Sequence, residues 1–144
     1  MTRRADSSAR AADTPPIRWV RHESAQHHFE MALRAPLPAL RPWVRRFCGY
    51  VEYRSDLARR LEVPGSDTVL SINFGAPVKV IDPRVPREAA WHAHFVSGLY
   101  DSCVLVESSG PFEGLQVDLT PLGAHRLLGV PMTEVTNRVV ALGD

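Results

Sequence analysis

A chain of 144 residues has the length of one domain with one hydrophobic core. Its 44% hydrophobic and 23% charged residues are those of an ordinary folded domain and exclude a chain that is disordered throughout or built of membrane-spanning helices. A formal net charge of +1 supplies no basic footprint, so DNA binding by this chain alone is not expected.

Residues 1–28 are rich in Arg, Ala, Ser, Asp and Pro and poor in large apolar side chains, which predicts a flexible lead-in. Its arginines are interleaved with Asp6, Asp13 and Glu23, the pattern of a solvated tail rather than a phosphate-binding arm. No apolar core of a signal peptide is found at the N-terminus, and the longest uncharged stretch, 89–100, is too short to span a bilayer. A cytoplasmic protein without membrane contact is the expectation. Cys48 and Cys103 lie far apart without CxxC spacing, so two free thiols are expected rather than a zinc site or a disulfide framework.

From residue 29 to 119 the chain reads as short strands punctuated by Pro and Gly, the pattern of a β-sandwich or barrel. The predicted strands are 29–34, 44–54, 68–75, 78–82, 91–99, 103–107 and 115–120. Alternation places Trp91, Ala93, Phe95, Ser97 and Leu99 on one face of a single strand, and Leu115, Val117 and Leu119 opposite Gln116 and Asp118 on another. The period then changes. Thr120-Pro121 pairs an N-cap residue with proline at the first helical position, and Gly129 stops the helix that follows. Pro131 opens a second predicted helix, in which Met132, Val135, Val139 and Leu142 form an apolar stripe suited to a dimer contact or a coupling element. The predicted fold is therefore mainly β with C-terminal helices (α+β), a cupin-like barrel or sandwich over 29–119 followed by a helix pair over 120–144.

His92 and His94 alternate in the predicted strand 91–99, so both imidazoles would share a face and could reach one metal ion. The carboxylate that a cupin metal site wants four or five positions later is replaced by Gly98 and Leu99, and no cofactor is expected. The serine segments lack a GxSxG elbow and no Gly-rich phosphate loop is present, so neither nucleophilic catalysis nor nucleotide binding is indicated. Aromatic side chains spread through the β region are mostly core. A barrel with aromatic walls nevertheless encloses a small ligand when a few polar groups orient it, which makes Phe47, Tyr53, Asn73, Phe74, Trp91, Phe95 and Gln116 the candidate ligand-binding residues.

The run Phe95-Val96-Ser97-Gly98-Leu99, with the later Leu119-Thr120-Pro121-Leu122-Gly123-Ala124 and Leu127-Leu128-Gly129-Val130-Pro131, resembles the N-terminal domain of many AraC-family transcriptional regulators. Residues 59–66 and Leu70-Ser71-Ile72-Asn73-Phe74-Gly75 fit the same pattern, and the resemblance covers about residues 36–142. It implies a non-enzymatic sensor that couples a small-molecule effector or partner to a helix-turn-helix domain, and that often forms homodimers through helices after the sensor. The DNA-reading motifs are expected to lie outside this chain, which would be an excised or naturally shortened form. The competing expectation is a small cupin-like metal enzyme using His92 and His94.

The balanced charge predicts no sequence-dependent affinity of the purified chain for duplex DNA. A gel shift at physiological salt that showed nanomolar, sequence-specific binding would contradict it.

Overall fold

The computed structural model describes residues 14–54 and 57–143. Two antiparallel sheets form a sandwich-like body with short helices near the C-terminus. The first sheet contains strands β1 (Ile17–Glu23), β2 (His27–Arg34), β3 (Val44–Arg54), β5 (Thr68–Asn73), β8 (His94–Ser97), β10 (Phe112–Leu119) and β11 (Val139–Ala141), in the order β1-β2-β3-β10-β5-β8-β11. The second contains β4 (Ala58–Glu62), β6 (Val78–Ile81), β7 (Ala90–His92) and β9 (Val104–Ser108), in the order β4-β9-β6-β7. Between β3 and β10 the chain passes repeatedly from one sheet to the other, so the two inner faces are built from residues distant in sequence.

Strand β10 sits at the centre of the larger sheet, paired with β3 on one side and β5 on the other. Its odd-numbered side chains Leu115, Val117 and Leu119 face a core shared with Trp43, Val44, Phe47, Ala124 and Leu128. Its even-numbered Phe112, Gln116 and Asp118 face the space between the sheets. Both faces are covered, one by helix α1 (Pro121–Leu128) and the other by the second sheet. A register shift against β3 between Asp118 and Leu119 brings Val44 opposite Leu119 while Arg46 stays opposite Asp118. This irregularity turns an apolar residue toward the helices and an arginine toward the sheet-sheet space.

Helix α1 follows its predicted ends. The Thr120 hydroxyl accepts from the Gly123 backbone N–H at 2.9 Å, Pro121 opens the first turn, and Gly129 closes the helix in the left-handed conformation, φ 70°. Thr120 also donates to the Pro42 carbonyl at 2.7 Å, tying the helix start to the end of the loop before β3. A Cβ at Gly123 would stand 2.0 Å from the Trp43 carbonyl oxygen, so only glycine lets α1 lie this close.

Four expectations need correction. The predicted lead-in 1–28 contains strand β1 and the start of β2 within its described part; residues 1–13 lie outside the described residues. β1 is exposed along its length and is held chiefly by backbone pairing with β2, so it leaves no burial signature in the sequence. β4, at the edge of the second sheet, was not predicted either. The single strand 91–99 is two strands, β7 and β8, in different sheets. Finally, the second helix covers only Met132–Val135 (α2); Thr136 is already extended, Asn137 takes the left-handed conformation, and Val139 enters β11 opposite Ser97. Tertiary pairing with β8 overrides the helical spacing.

Met132, Val135, Val139 and Leu142 consequently form no common stripe. Met132 packs toward the helix-side core, Val135 is buried against Gly98, Val139 packs with the cluster between the sheets, and the Leu142 N–H donates to the His94 carbonyl. Val139→Asp should therefore destabilise the protomer by about 2 kcal/mol without changing its mass in solution. Thermal unfolding with light scattering checks this; a loss of dimer at unchanged melting temperature would contradict the protomer role.

Candidate functional site

The inner faces of the two sheets enclose a cavity of about 270 Å³. Valines of both sheets (Val69, Val78, Val80, Val104 and Val106) and Phe95 make part of its wall apolar. The residues between β4 and β5, 63–67, form part of its wall together with Arg46 and Asp118. The buried Asp118 carboxylate accepts from Gln116 Nε2 at 2.6 Å and is ion-paired with Arg46, whose Nη2 lies 2.5 Å away. Those partners offset the cost of holding a carboxylate away from water.

Arg60 and Phe112 also line the cavity. Arg60 Nη1 donates to Glu52 Oε2 at 2.7 Å, and the guanidinium lies 4.8 Å from the centre of the Phe112 ring. Phe112 in turn stacks on Tyr50, centroids 4.4 Å apart. The Tyr50 hydroxyl donates to Asn73 Oδ1, and the Ser71 hydroxyl reaches the same oxygen at 3.3 Å. Burial pushes the Tyr50 phenol above its ordinary range, so it remains a donor at neutral pH. Burial likewise raises the Cys48 thiol; Cys48 and Cys103 are both free, with Cys103 the less buried.

A second cavity, also about 270 Å³, lies beside the first and shares Val80 and Tyr100 with it. It is walled by Asp82, Val85, Glu88, His92 and the segment Asn137, Arg138 and Val139. Arg84 braces this region, donating to Asp82 and to Asp101 at 2.7 Å, and holds both carboxyl groups below their ordinary range.

Of the seven predicted ligand-binding residues, Phe95 and Gln116 line the inter-sheet cavity. Asn73 is buried two positions along β5 from the cavity-lining Ser71. Phe47 belongs to the helix-side core. Tyr53, Phe74 and Trp91 are surface residues, 47%, 70% and 47% exposed, and Trp91 carries Lys79 Nζ at 6.0 Å from its ring centre. The polar residues missed by the sequence reading are Arg46, Glu52, Arg60 and Asp118. For Glu52 and Asp118 the sequence signal is a charge between apolar or aromatic neighbours, Val51 and Tyr53 or Val117 and Leu119, whereas Arg46 and Arg60 each follow another arginine and carry no such signal.

His92 and His94 are not neighbours on one strand face. Ala93 is a bend at which the chain changes sheets; His92 lines the second cavity, while His94 pairs across to Ile72. Among the described residues, no three His, Cys, Asp or Glu side chains group as a metal site. No helix among them is long and apolar enough to cross a membrane.

These features define a mainly β, two-sheet domain with a cavity between its sheets and short C-terminal helices. The chain belongs to the family described as a domain of unknown function, DUF6597, whose model matches residues 33–141. That stretch takes in both sheets except β1 and most of β2. No curated protein matches the chain.

Burial holds the His92 imidazole below the ordinary histidine range. The unfolded chain therefore takes up the proton first. This contribution to stability is complete above the unfolded value of about 6.5 and is lost as pH falls through the folded value. The melting temperature should fall between about pH 7 and pH 5, and His92→Gln should flatten that part of the profile. An unchanged slope in the variant would assign the acid sensitivity elsewhere.

Proposed function

We propose that the chain is a non-enzymatic, cytoplasmic sensor domain of an AraC-type bacterial transcriptional regulator. In this reading a small molecule binds between the sheets, and its occupancy is passed through the C-terminal segment to a separate DNA-binding domain. The observation that carries the reading is the placement of Tyr100, which lines both cavities while its neighbours are clasped to the C-terminal segment. The Asn137 N–H donates to the Leu99 carbonyl at 2.8 Å, and Asn137 Oδ1 accepts from the Asp101 N–H at 3.1 Å. A ligand that displaces Tyr100 therefore bears on residues 99–101 and, through those bonds, on the segment leading into β11. Such a ligand acts only if it prefers one of two arrangements of that segment.

The runs that resemble AraC-type sensors, from Phe95 to Leu99 and from Leu119 to Pro131, lie within the matched family stretch and support the same reading. Homodimerisation belongs to the proposal, through surfaces other than the former stripe, because Val135 and Val139 pack inside the protomer.

A small-molecule library screened by thermal shift should yield compounds that stabilise the protein, by about 2.7 kcal/mol at a concentration of 100 times Kd. Val106→Trp, which fills the cavity, should abolish the effect. Hydrogen exchange of the β11 amides should change on binding in the wild type and much less in Tyr100→Ala. The absence of any stabilising compound, or binding that leaves β11 exchange untouched, would overturn the reading.

A further inference from the structure

The charges that line the inter-sheet cavity are already paired. Asp118 is ion-paired with Arg46 and accepts from Gln116, and Arg60 meets Glu52 at 2.7 Å and Glu62 at 3.9 Å. Asp67, the remaining charged residue of the wall, lies 3.5 Å from Arg45. Among the described residues, no lining charge is left to meet an ion. A charged ligand would have to break one of these pairs or enter without a counter-charge, and either course is costly where water is displaced.

Sheet register separates these pairs from the rest of the wall. Arg46, Asp118, Val69 and Ser97 stand opposite one another on β3, β10, β5 and β8, and Gln116, Ser71 and Phe95 do so two residues along. Directly paired residues share a face, so the wall passes from charged on β3 and β10 to apolar and hydroxylic on β5 and β8. Ser97 thus lies two strand spacings, roughly 10 Å, from Asp118. The second sheet repeats the gradient: Arg60 stands on β4, whereas β9 and β6 contribute Val104, Val106, Val78 and Val80. One polar group of the wall is left incomplete. Ser102, between β8 and β9, lines the cavity, yet its Oγ is buried with no hydrogen-bond partner among the described residues. A buried hydroxyl left unpaired is costly, and an oxygen on a ligand would relieve that cost without bringing a charge.

We infer that the cavity takes a small neutral organic molecule, an apolar body carrying one carbonyl oxygen, with that oxygen accepting from Ser102 Oγ and the body among the valines and Phe95. The inference rests on the ligand-sensing reading above and names the chemical class of the effector. A carbonyl suits the site because it accepts without bringing a donor of its own that would also need a partner away from water. Ser102 directly follows Asp101, whose N–H donates to Asn137 Oδ1, so the ligand's polar contact bears on the stretch joined to the C-terminal segment.

Acetophenone, benzoate, benzylamine and ethylbenzene share a ring and differ in the charge or oxygen attached to it, and calorimetric titration of the full chain with each tests the inference. Acetophenone should bind about tenfold or more tighter than benzoate or benzylamine, and about fivefold tighter than ethylbenzene. Ser102→Ala removes a hydroxyl that the fold leaves unpaired, so it should keep the wild-type melting temperature within a few degrees while bringing acetophenone and ethylbenzene to equal affinity. Discrimination against the two ions should survive in that variant. Benzoate or benzylamine binding as tightly as acetophenone, or tighter, overturns the ligand class; if Val106→Trp abolishes that binding, the sensing reading stands, and if not, it falls as well. The inference is also overturned by equal affinity for acetophenone and ethylbenzene in the wild type, by a preference for acetophenone that persists in Ser102→Ala, or by a large loss of melting temperature in that variant, which would give the hydroxyl a partner within the fold. Failure of all four compounds to bind overturns it too, and the library screen then judges the sensing reading independently.

Discussion

Both faces of one central strand are buried, and the rest of the architecture follows from that constraint. β10 turns Leu115, Val117 and Leu119 to the helix side and Gln116 and Asp118 to the sheet-sheet side. A buried carboxylate on an interior strand is tolerable only with partners, and the register places Arg46 directly opposite Asp118. Arg46 is drawn to the cavity side, and the adjacent register shift sends Val44 to the opposite core. The polar wall of the cavity and the apolar seat of α1 are therefore two sides of the same eight-residue strand.

The space between the sheets stays open because its polar groups cannot collapse onto the opposing valines without losing their partners. Asp118 is committed to Arg46 and Gln116, while Glu52 is committed to Arg60 and His27. Closing the cavity would desolvate these groups further, at a cost the neighbouring valines offset only in part.

The chain's return past Tyr100 joins that interior to the C-terminal segment. Gly98 lets the Val135 backbone approach where a Cβ would stand 1.7 Å from its carbonyl oxygen, so α2 can lie directly against the end of β8. Asn137, left-handed at φ 56°, then turns the chain to pair β11 with β8. A segment that would be a free amphipathic helix on spacing alone is instead sewn into the larger sheet, adjacent to both cavities.

What the sequence determined by itself was local. The Thr120-Pro121 start and Gly129 stop of α1 depend on side-chain capping and backbone preference within a few residues, and strand β3 carries its own alternation. The mainly β character and Gln116 and Phe95 as cavity residues were legible on the same grounds. Only the tertiary structure decided which face of β10 would be the wet one, because alternation separates two faces without saying what each will meet. It alone split 91–99 at Ala93, since Trp91 to Leu99 reads as one continuous period whichever sheet each half joins. The edge strand β1 left no signal because backbone pairing carries no side-chain pattern, and Val139 left a false one because three- and four-residue spacing also fits a turn followed by a strand. Pairing across long sequence separations, which no local window contains, set Arg60 over Phe112 in the cavity wall and stacked Tyr50, hydrogen-bonded to Asn73, on the same ring.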